Sequence, residues 1–407
     1  MNFPLEKPAA PRAGLRQLWR DFGVTYAANG FVGWLFAVTA PVAIILSVGS
    51  RGGLSEAEIA SWVFGVFFFN GLISILFCWL YREPLVFFWT IPGTVLVGPS
   101  LAHLSFAEVV GAFYLTGLLM FVLSITGWVR RAMDVVPMPI VMGMVAGVLL
   151  QFGLGWIGAL TGDPLIAVPM TLAYLVVAAV PSVARTIPPI VAALVIGAIV
   201  MFEPPAGGLG GIDVALPALA APVIFMPEFR WNAAAELVVP LLITVIFAQN
   251  SQGIVLLRNA GHKPAVGAIT AICGVASIAV AFVGTVSTCL TGPVNGILSS
   301  SGCRVNQYMG AVFVALFALA FGLIAPAVTD VMRAAPEGFI ATLGGLALLN
   351  VLQGSFTASF TGGYAKSALI AFMVTLSGVE IANIGSPFWG IAAGLISAWT
   401  IDAQQKA

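Results

Sequence analysis

Residues Gly284–Ser300 lie in a strongly apolar chain, yet they cannot form an ordinary membrane-spanning helix. Val283 to Thr291 is rich in β-branched and small polar residues, which favour extended backbone. Gly292-Pro293 then interrupts the chain, because proline has no N–H to donate and glycine costs helix stability. Beyond the break, Val294 to Ser300 suits a short helix with proline in its first turn. A span that is half extended and half helical survives in hydrocarbon only where the irregular backbone is buried in protein or lines a cavity.

A second stretch of this kind, Pro84–Pro99, lies about two hundred residues earlier. There an apolar, β-rich run meets a break at Pro92-Gly93 and a short helix follows. Thr90-Ile91-Pro92-Gly93 and Thr291-Gly292-Pro293 are alike in chemistry though not in exact order. Paired interruptions at corresponding places in two halves point to the binding site of a secondary transporter. The plainer reading is two unrelated kinked helices, since glycine and proline are common in membrane spans.

The chain is 60% hydrophobic and 8% charged, against about 25% charged in a soluble domain. Apolar spans fall near 24–49, 58–80, 106–128, 137–158, 164–181 and 188–202, with the broken span 84–103 third in order. A second set falls near 236–257, 264–283, 306–325, 337–353, 364–379 and 385–401, with the broken span 284–301 again third. Several approach the ~20 residues that cross hydrocarbon, while 188–202 and 364–379 are short. The expected fold is an all-α integral membrane protein of fourteen transmembrane spans in two seven-span repeats. Its parts are a cytoplasmic N-terminal segment (1–22), a first repeat (23–202), an extracytoplasmic connection (203–235), a second repeat (236–401) and a cytoplasmic tail (402–407).

Charge placement tests the count. With the N-terminus inside, the cytoplasmic ends hold Lys7, Arg12, Arg16, Arg20, Arg82, Arg130, Arg131, Arg185, Arg258, Lys263, Arg304, Lys366 and Lys406. The outer ends hold only Arg51, Arg230 and Arg333, and this bias places both termini in the cytoplasm. A seven-span half enters on one side and leaves on the other, so the second repeat must be inverted. The N-terminal segment carries no cleavable signal pattern, and zero net charge gives no sign of nucleic-acid binding.

No ionisable residue falls mid-span on this reading. Gln249, Asn250, Ser251 and Gln252 in the eighth span, and Thr288, Thr291 and Asn295 in the tenth, are the polar residues instead. Gln249 and Gln252 share a helix face and are candidates to line a cavity, against a plainer role in bonding helices together. Glu108, Asp163, Glu236 and Glu380 read as interfacial, and His262 as a solvated loop residue. His103, at the outer end of the third span, is a candidate for proton coupling but lies far from the midplane. Cys78, Cys273, Cys289 and Cys303 have neither metal-ligand nor redox spacing and read as packing residues. No metal or cofactor site is expected, and no nucleophile–base pair suggests an enzyme.

The two broken spans, the seven-plus-seven layout and Phe36-Ala37-Val38-Thr39 in the first span resemble the uracil-permease fold. The whole-chain pattern is most similar to the benzoate transporter (BenE-type benzoate/proton symporter) family. The resemblance implies a core of spans 1–4 and 8–11 moving against a gate, or scaffold, of spans 5–7 and 12–14. In nucleobase permeases the eighth span supplies an acid that binds the base, and Gln249 stands in what looks like its place. The tenth span there carries another acid just after a glycine, where this chain has Pro293 after Gly292. Without those acids a nucleobase loses its charged acceptors, whereas an anion escapes their repulsion.

The expected site therefore holds a carboxylate between two helix N-termini. Its candidate residues are Thr39, Pro92, Gly93, Thr94, Gln249, Gln252, Thr291, Gly292, Pro293 and Asn295, with Phe36, Phe87, Phe88 and Trp89 near enough to hold an aryl ring. The expected partners are a small aromatic carboxylate, protons and the lipid bilayer, in the inner (cytoplasmic) membrane, and a homodimer is one assembly open to it. Import with protons by alternating access is the leading expectation. An anion channel or exchanger, a sensor, and a nucleobase-type permease on the same fold are the alternatives.

Overall fold

The computed structural model describes residues 6–8, 14–129, 137–184, 189–202, 219–300, 302–333, 335–381 and 386–402. In chain order the helices are α1 (Leu15–Asp21), α2 (Val24–Arg51), α3 (Glu56–Tyr81), α4 (Ile91–Ser100), α5 (Phe106–Ile125), α6 (Met138–Gly162), α7 (Pro164–Ala179) and α8 (Pro189–Phe202). They continue with α9 (Trp231–Asn259), α10 (Val266–Ala281), α11 (Gly292–Leu298), α12 (Arg304–Leu323), α13 (Ala325–Arg333), α14 (Glu337–Phe360), α15 (Ala365–Leu376) and α16 (Ser386–Ser397). Seven of them, α2, α3, α5, α6, α9, α12 and α14, are long and apolar enough to cross a membrane. Each apolar stretch marked out in the sequence is occupied by a helix or by a strand followed by a helix. Arg12, Arg130, Arg131, Arg185 and Lys406, part of the charge argument, lie outside the described residues, as do most of the connection 203–235 and of the tail.

The chain is not all helix. Two strands, β1 (Phe87–Trp89) and β2 (Thr288–Leu290), pair antiparallel deep in the protein, with Phe88 opposite Cys289. Beyond the ladder, Thr90 N–H donates to the Ser287 carbonyl and Thr291 N–H to the Val86 carbonyl, each at 3.0 Å. The hydrogen-bond pattern is two-fold symmetric: shifting any residue of the first strand by 201 positions gives its counterpart in the second, and Phe88 faces its own counterpart. An inverted pair of segments produces this relationship, because antiparallel pairing maps one strand onto the other by a two-fold axis.

A two-stranded ladder leaves both outer edges unpaired, and in hydrocarbon each unpaired group costs several kcal/mol. Side chains from neighbouring helices fill them. Ser74 Oγ of α3 accepts from Phe87 N–H and Ser277 Oγ of α10 accepts from Thr288 N–H, both at 2.9 Å. Asn250 Oδ1 accepts from Leu290 N–H at 2.7 Å and Asn295 Oδ1 from Val86 N–H at 2.9 Å. Thr288 Oγ1 donates to Asn70 Oδ1 at 2.8 Å, and the Cys78 thiol to the Leu85 carbonyl at 3.0 Å.

The helices pack in two groups. In one, α2 and α3 lie on α12, and α5 lies on α10. At the crossing of α5 and α10 a Cβ on Gly117 would come within 2.8 Å of the Gly274 carbonyl, so only glycine permits that approach. In the other group, α14 and α15 pack on α6, α16 on α15, and α8 on α7. The two broken segments belong to the first group, and α2 and α14 make much of the contact between groups.

Charged residues collect at the two ends of the bundle. Near the N-terminal segment, Arg82 pairs with Asp21 at 3.2 Å, Tyr308 donates to Asp21, and Glu83 accepts from Lys263 N–H. His262 is there too and is not solvated: it is 8% exposed and meets Gln307 Oε1 at 2.7 Å. Burial pushes its imidazole below the ordinary value, the Gln307 bond works against that, and Arg304 adds to the lowering. At the opposite end, Arg230 faces Glu108 at 3.7 Å. Glu236 at that end is covered by protein, being 3% exposed and held by Ser100 and His103.

Candidate functional site

Each broken span turns from strand to helix at a threonine, just before the Pro92-Gly93 and Gly292-Pro293 breaks expected from the sequence. Thr90 is the N-cap of α4 and Thr291 that of α11, and in each helix proline is the second residue. The two elements thus share Thr-x-Pro in register. Proline costs nothing at that position, since its missing N–H would be free anyway. The helix starts sit at opposite ends of the ladder, roughly 13 Å apart along the strand direction, rather than tip to tip.

The caps then differ. Thr90 Oγ1 accepts from Gly93 N–H at 3.1 Å, the usual use of an N-cap hydroxyl. Thr291 makes no such bond, and its buried hydroxyl has no partner among the described residues. It lines a narrow recess with Phe36, Phe88, Trp89, Gln249 and Gln252. Trp89 Nε1–H is a second buried donor without a partner there, in a side chain 3% exposed. Gln249, 8% exposed, has only the Cys289 thiol 4.0 Å from its Oε1.

The recess is the inner end of a larger cavity of about 600 Å³, with which it shares Phe36, Gln249, Gln252, Pro293 and Val351. That cavity lies between the helix groups: Pro92, Gln249 and Pro293 face Met138, Val145, Ala347 and Asn350. A third cavity, of about 660 Å³, shares Phe36, Leu256, Pro293 and Asn350 with it and reaches Asn29 and Ser300 near the N-terminal end. Among the described residues no Asp, Glu, Lys, Arg or His lines any of the three. The space is apolar around Phe36, Phe88 and Val351, and its polar lining at one end is uncharged: Gln249, Gln252 and Thr291.

The sequence candidates separate accordingly. Pro92, Gln249, Gln252, Thr291 and Pro293 line the site. Gly93, Thr94, Gly292 and Asn295 line none of the three cavities and support it from behind. A Cβ on Gly93 would meet Thr90 Cγ2 at 2.2 Å, so glycine is required beneath the capping threonine. Thr94 Oγ1 donates to the Thr90 carbonyl, Gly292 packs against Gln252, and Asn295 braces Val86. The side chain of Thr39 lies outside the described residues.

Asn350 and the Trp89 N–H are polar lining groups that the sequence candidates did not single out. Asn350 was legible as an amide within an apolar span, with Gln353 one turn on. Trp89 was noted only for its ring, and nothing in the sequence marks its N–H as unpaired. The π-helical turn Thr244–Asn250 shifts the register of α9 just before the site, as such turns often do at functional positions. It leaves Gln249 on the cavity while Asn250 reaches the ladder.

The family described as "BenE: Benzoate membrane transport protein" matches residues 20–400 of this chain. The chain is 29% identical to "Inner membrane protein YdcO" of Escherichia coli over 370 residues, covering 90% of this chain and 93% of the relative. It is 26% identical over 390 residues to "Benzoate membrane transport protein" of Acinetobacter baylyi, covering 94% and 96%. Among solved structures, the transmembrane domain of the cyanobacterial bicarbonate transporter BicA matches with TM-score 0.60 at 15% identity, covering 95% of this chain and 99% of that one. SLC26A9 matches with TM-score 0.64 at 12% identity, covering 95% and 66%. At such identities these two establish a shared fold and nothing finer.

Proposed function

Because the chain belongs to the BenE benzoate membrane transport family, we propose that it imports a benzoate-like aromatic carboxylate with protons across the cytoplasmic membrane by alternating access. The observation that carries this reading is the uncharged recess, where the Thr291 hydroxyl and the Trp89 N–H are buried without partners. Burying a polar donor unpaired costs about 1–3 kcal/mol, so an acceptor that reaches these two would recover that cost. A carboxylate supplies one, and each charge-assisted bond returns about 1.5–3 kcal/mol. The start of α4 adds the positive end of a helix dipole, and no lining carboxylate opposes the anion.

The aryl ring then occupies the wider cavity against Phe36, Met138 and Val351. Both broken segments sit in one helix group and Asn350 in the other, so movement of the first group against the second would carry the bound anion across the membrane. In this reading α2–α5 with α9–α12 form the mobile core, and the fourteen crossings form two inverted repeats. The arginine and lysine bias supports cytoplasmic termini, and the Escherichia coli relative's description as an inner membrane protein supports the membrane. The cavities then open to the cytoplasm.

The test is uptake by purified protein in liposomes, with labelled benzoate and a small panel of other acids. Accumulation against a gradient, driven by an inward pH gradient and abolished by a protonophore, is the expected result. The likeness in fold to a bicarbonate transporter and to the anion transporter SLC26A9 favours a second reading, anion exchange or passive flux without protons. Passive, voltage-dependent flux without accumulation would select it.

A further inference from the structure

The titratable cluster at the far end of the bundle has no part in the substrate recess. His103 Nε2 lies 2.9 Å from Glu236 Oε2, and Ser100 Oγ also donates to the Glu236 carboxylate. An ionised carboxylate taking both donors fixes the tautomer with hydrogen on Nε2, which leaves Nδ1 as the basic atom. Nδ1 faces Glu380 Oε2 across a 4.0 Å gap. His103 and Glu380 border a cavity of about 510 Å³ that shares no lining residue with the substrate cavities. Arg51 is the other charged group on its wall, and the nearby Glu108 and Arg230 pair with each other.

The position of the cluster gives it leverage. His103 directly follows α4, whose first turn borders the substrate site, and Glu236 lies on α9, which carries Gln249 and Gln252. Glu380 stands between α15 and α16, in the other helix group. We propose that His103 and Glu236 form a proton-binding site, and that a proton taken from water onto His103 Nδ1 latches the far cavity shut through Glu380. No bond other than N–H changes. The neutral imidazole holds only Glu236, whereas the imidazolium donates to Glu236 and Glu380 together and so ties the two helix groups on the side away from the substrate opening. Loss of that proton releases Glu380 and lets the cavity widen. The coupling role rests on the transport reading above, whereas the latch does not.

Two measurements on full-length protein in liposomes test it. In the first, Gln151→Cys, on the wall of the far cavity, is labelled with a membrane-impermeant maleimide with and without His103→Gln. The ratio of the two rates cancels the thiol's own pH dependence. Lowering the pH from about 8 to about 5.5 should reduce the ratio severalfold as the latch closes. A ratio that stays level overturns the latch. In the second, benzoate–benzoate exchange without a pH gradient is compared with gradient-driven accumulation. His103→Gln and Glu236→Gln should keep exchange and lose accumulation; accumulation by His103→Gln at the parent level overturns the coupling role. If the parent moves no benzoate but the labelling ratio still falls, the proton latch stands and the transport reading is what fails.

Discussion

Asn295 Oδ1 accepts a hydrogen bond from Val86 N–H at 2.9 Å, joining residues 209 positions apart. Asn295 is fully buried and its Nδ2 has no partner among the described residues. The amide oxygen thus supports the ladder and does not meet the substrate. Asn295→Leu orphans Val86 N–H and should lower the unfolding free energy by about 1–3 kcal/mol. Asn295→Asp keeps an acceptor there and should lie closer to the parent. Thermal unfolding in detergent, followed by fluorescence, compares them; equal midpoints for Leu and parent would remove the brace.

Gln249→Leu should abolish benzoate uptake while the protein still inserts. The amide is one of two, with that of Gln252, that α9 places on both the recess and the wide cavity. Leucine preserves the volume but offers the carboxylate no donor. Full uptake by this variant would refute a role for Gln249 in binding.

Trp89→Phe and Thr291→Val each remove one donor unpartnered among the described residues, the second with little change in shape. For a hydrogen bond to a charged acceptor, each should weaken benzoate binding by about 1.5–3 kcal/mol, or roughly 10- to 150-fold. Thr291→Val should leave the apo protein near the parent's stability, because no bond among the described residues is lost, whereas Trp89→Phe also gives up ring contacts with Phe67 and Phe88 and should lower the midpoint. Calorimetric titration with benzoate measures the first effect and thermal unfolding the second. Unchanged affinity in both variants would place the carboxylate elsewhere.

His262 predicts a loss of stability in acid. Burial pushes its folded-state imidazole below the ordinary value of about 6.5. Between that lowered value and 6.5 the unfolded chain binds more protons than the folded one, so stability rises with pH there. Its contribution is present above about 6.5 and is lost as pH falls through the folded value. His262→Asn removes the titration. The drop in unfolding midpoint from about pH 7.5 to about pH 5.5 should be smaller in the variant than in the parent.

The interruptions at Thr90-Ile91-Pro92-Gly93 and Thr291-Gly292-Pro293 were legible because they depend on local chemistry. Proline lacks a donor and β-branched runs favour extension wherever they occur. The apolar runs announced the helices for the same reason, since a bilayer-spanning helix needs only length and composition. The uncharged character of the site was legible too, because a charge missing from the span sequences cannot appear in the cavity.

What each polar residue faces was settled only by the tertiary structure. Gln249 and Asn250 are neighbours in sequence, but one side chain lines the cavity and the other holds Leu290 N–H. A helix turns about 100° per residue, so the partner of each depends on which distant segment packs against that face. His262 and Glu236 read as solvated and interfacial because nothing nearby in sequence covers them. Gln307 buries one, and Ser100 with His103 the other, across 45 and more than 130 residues. The unpaired donors of Trp89 and Thr291 are the same case: sequence supplies a donor, and only the folded arrangement determines that no acceptor reaches it.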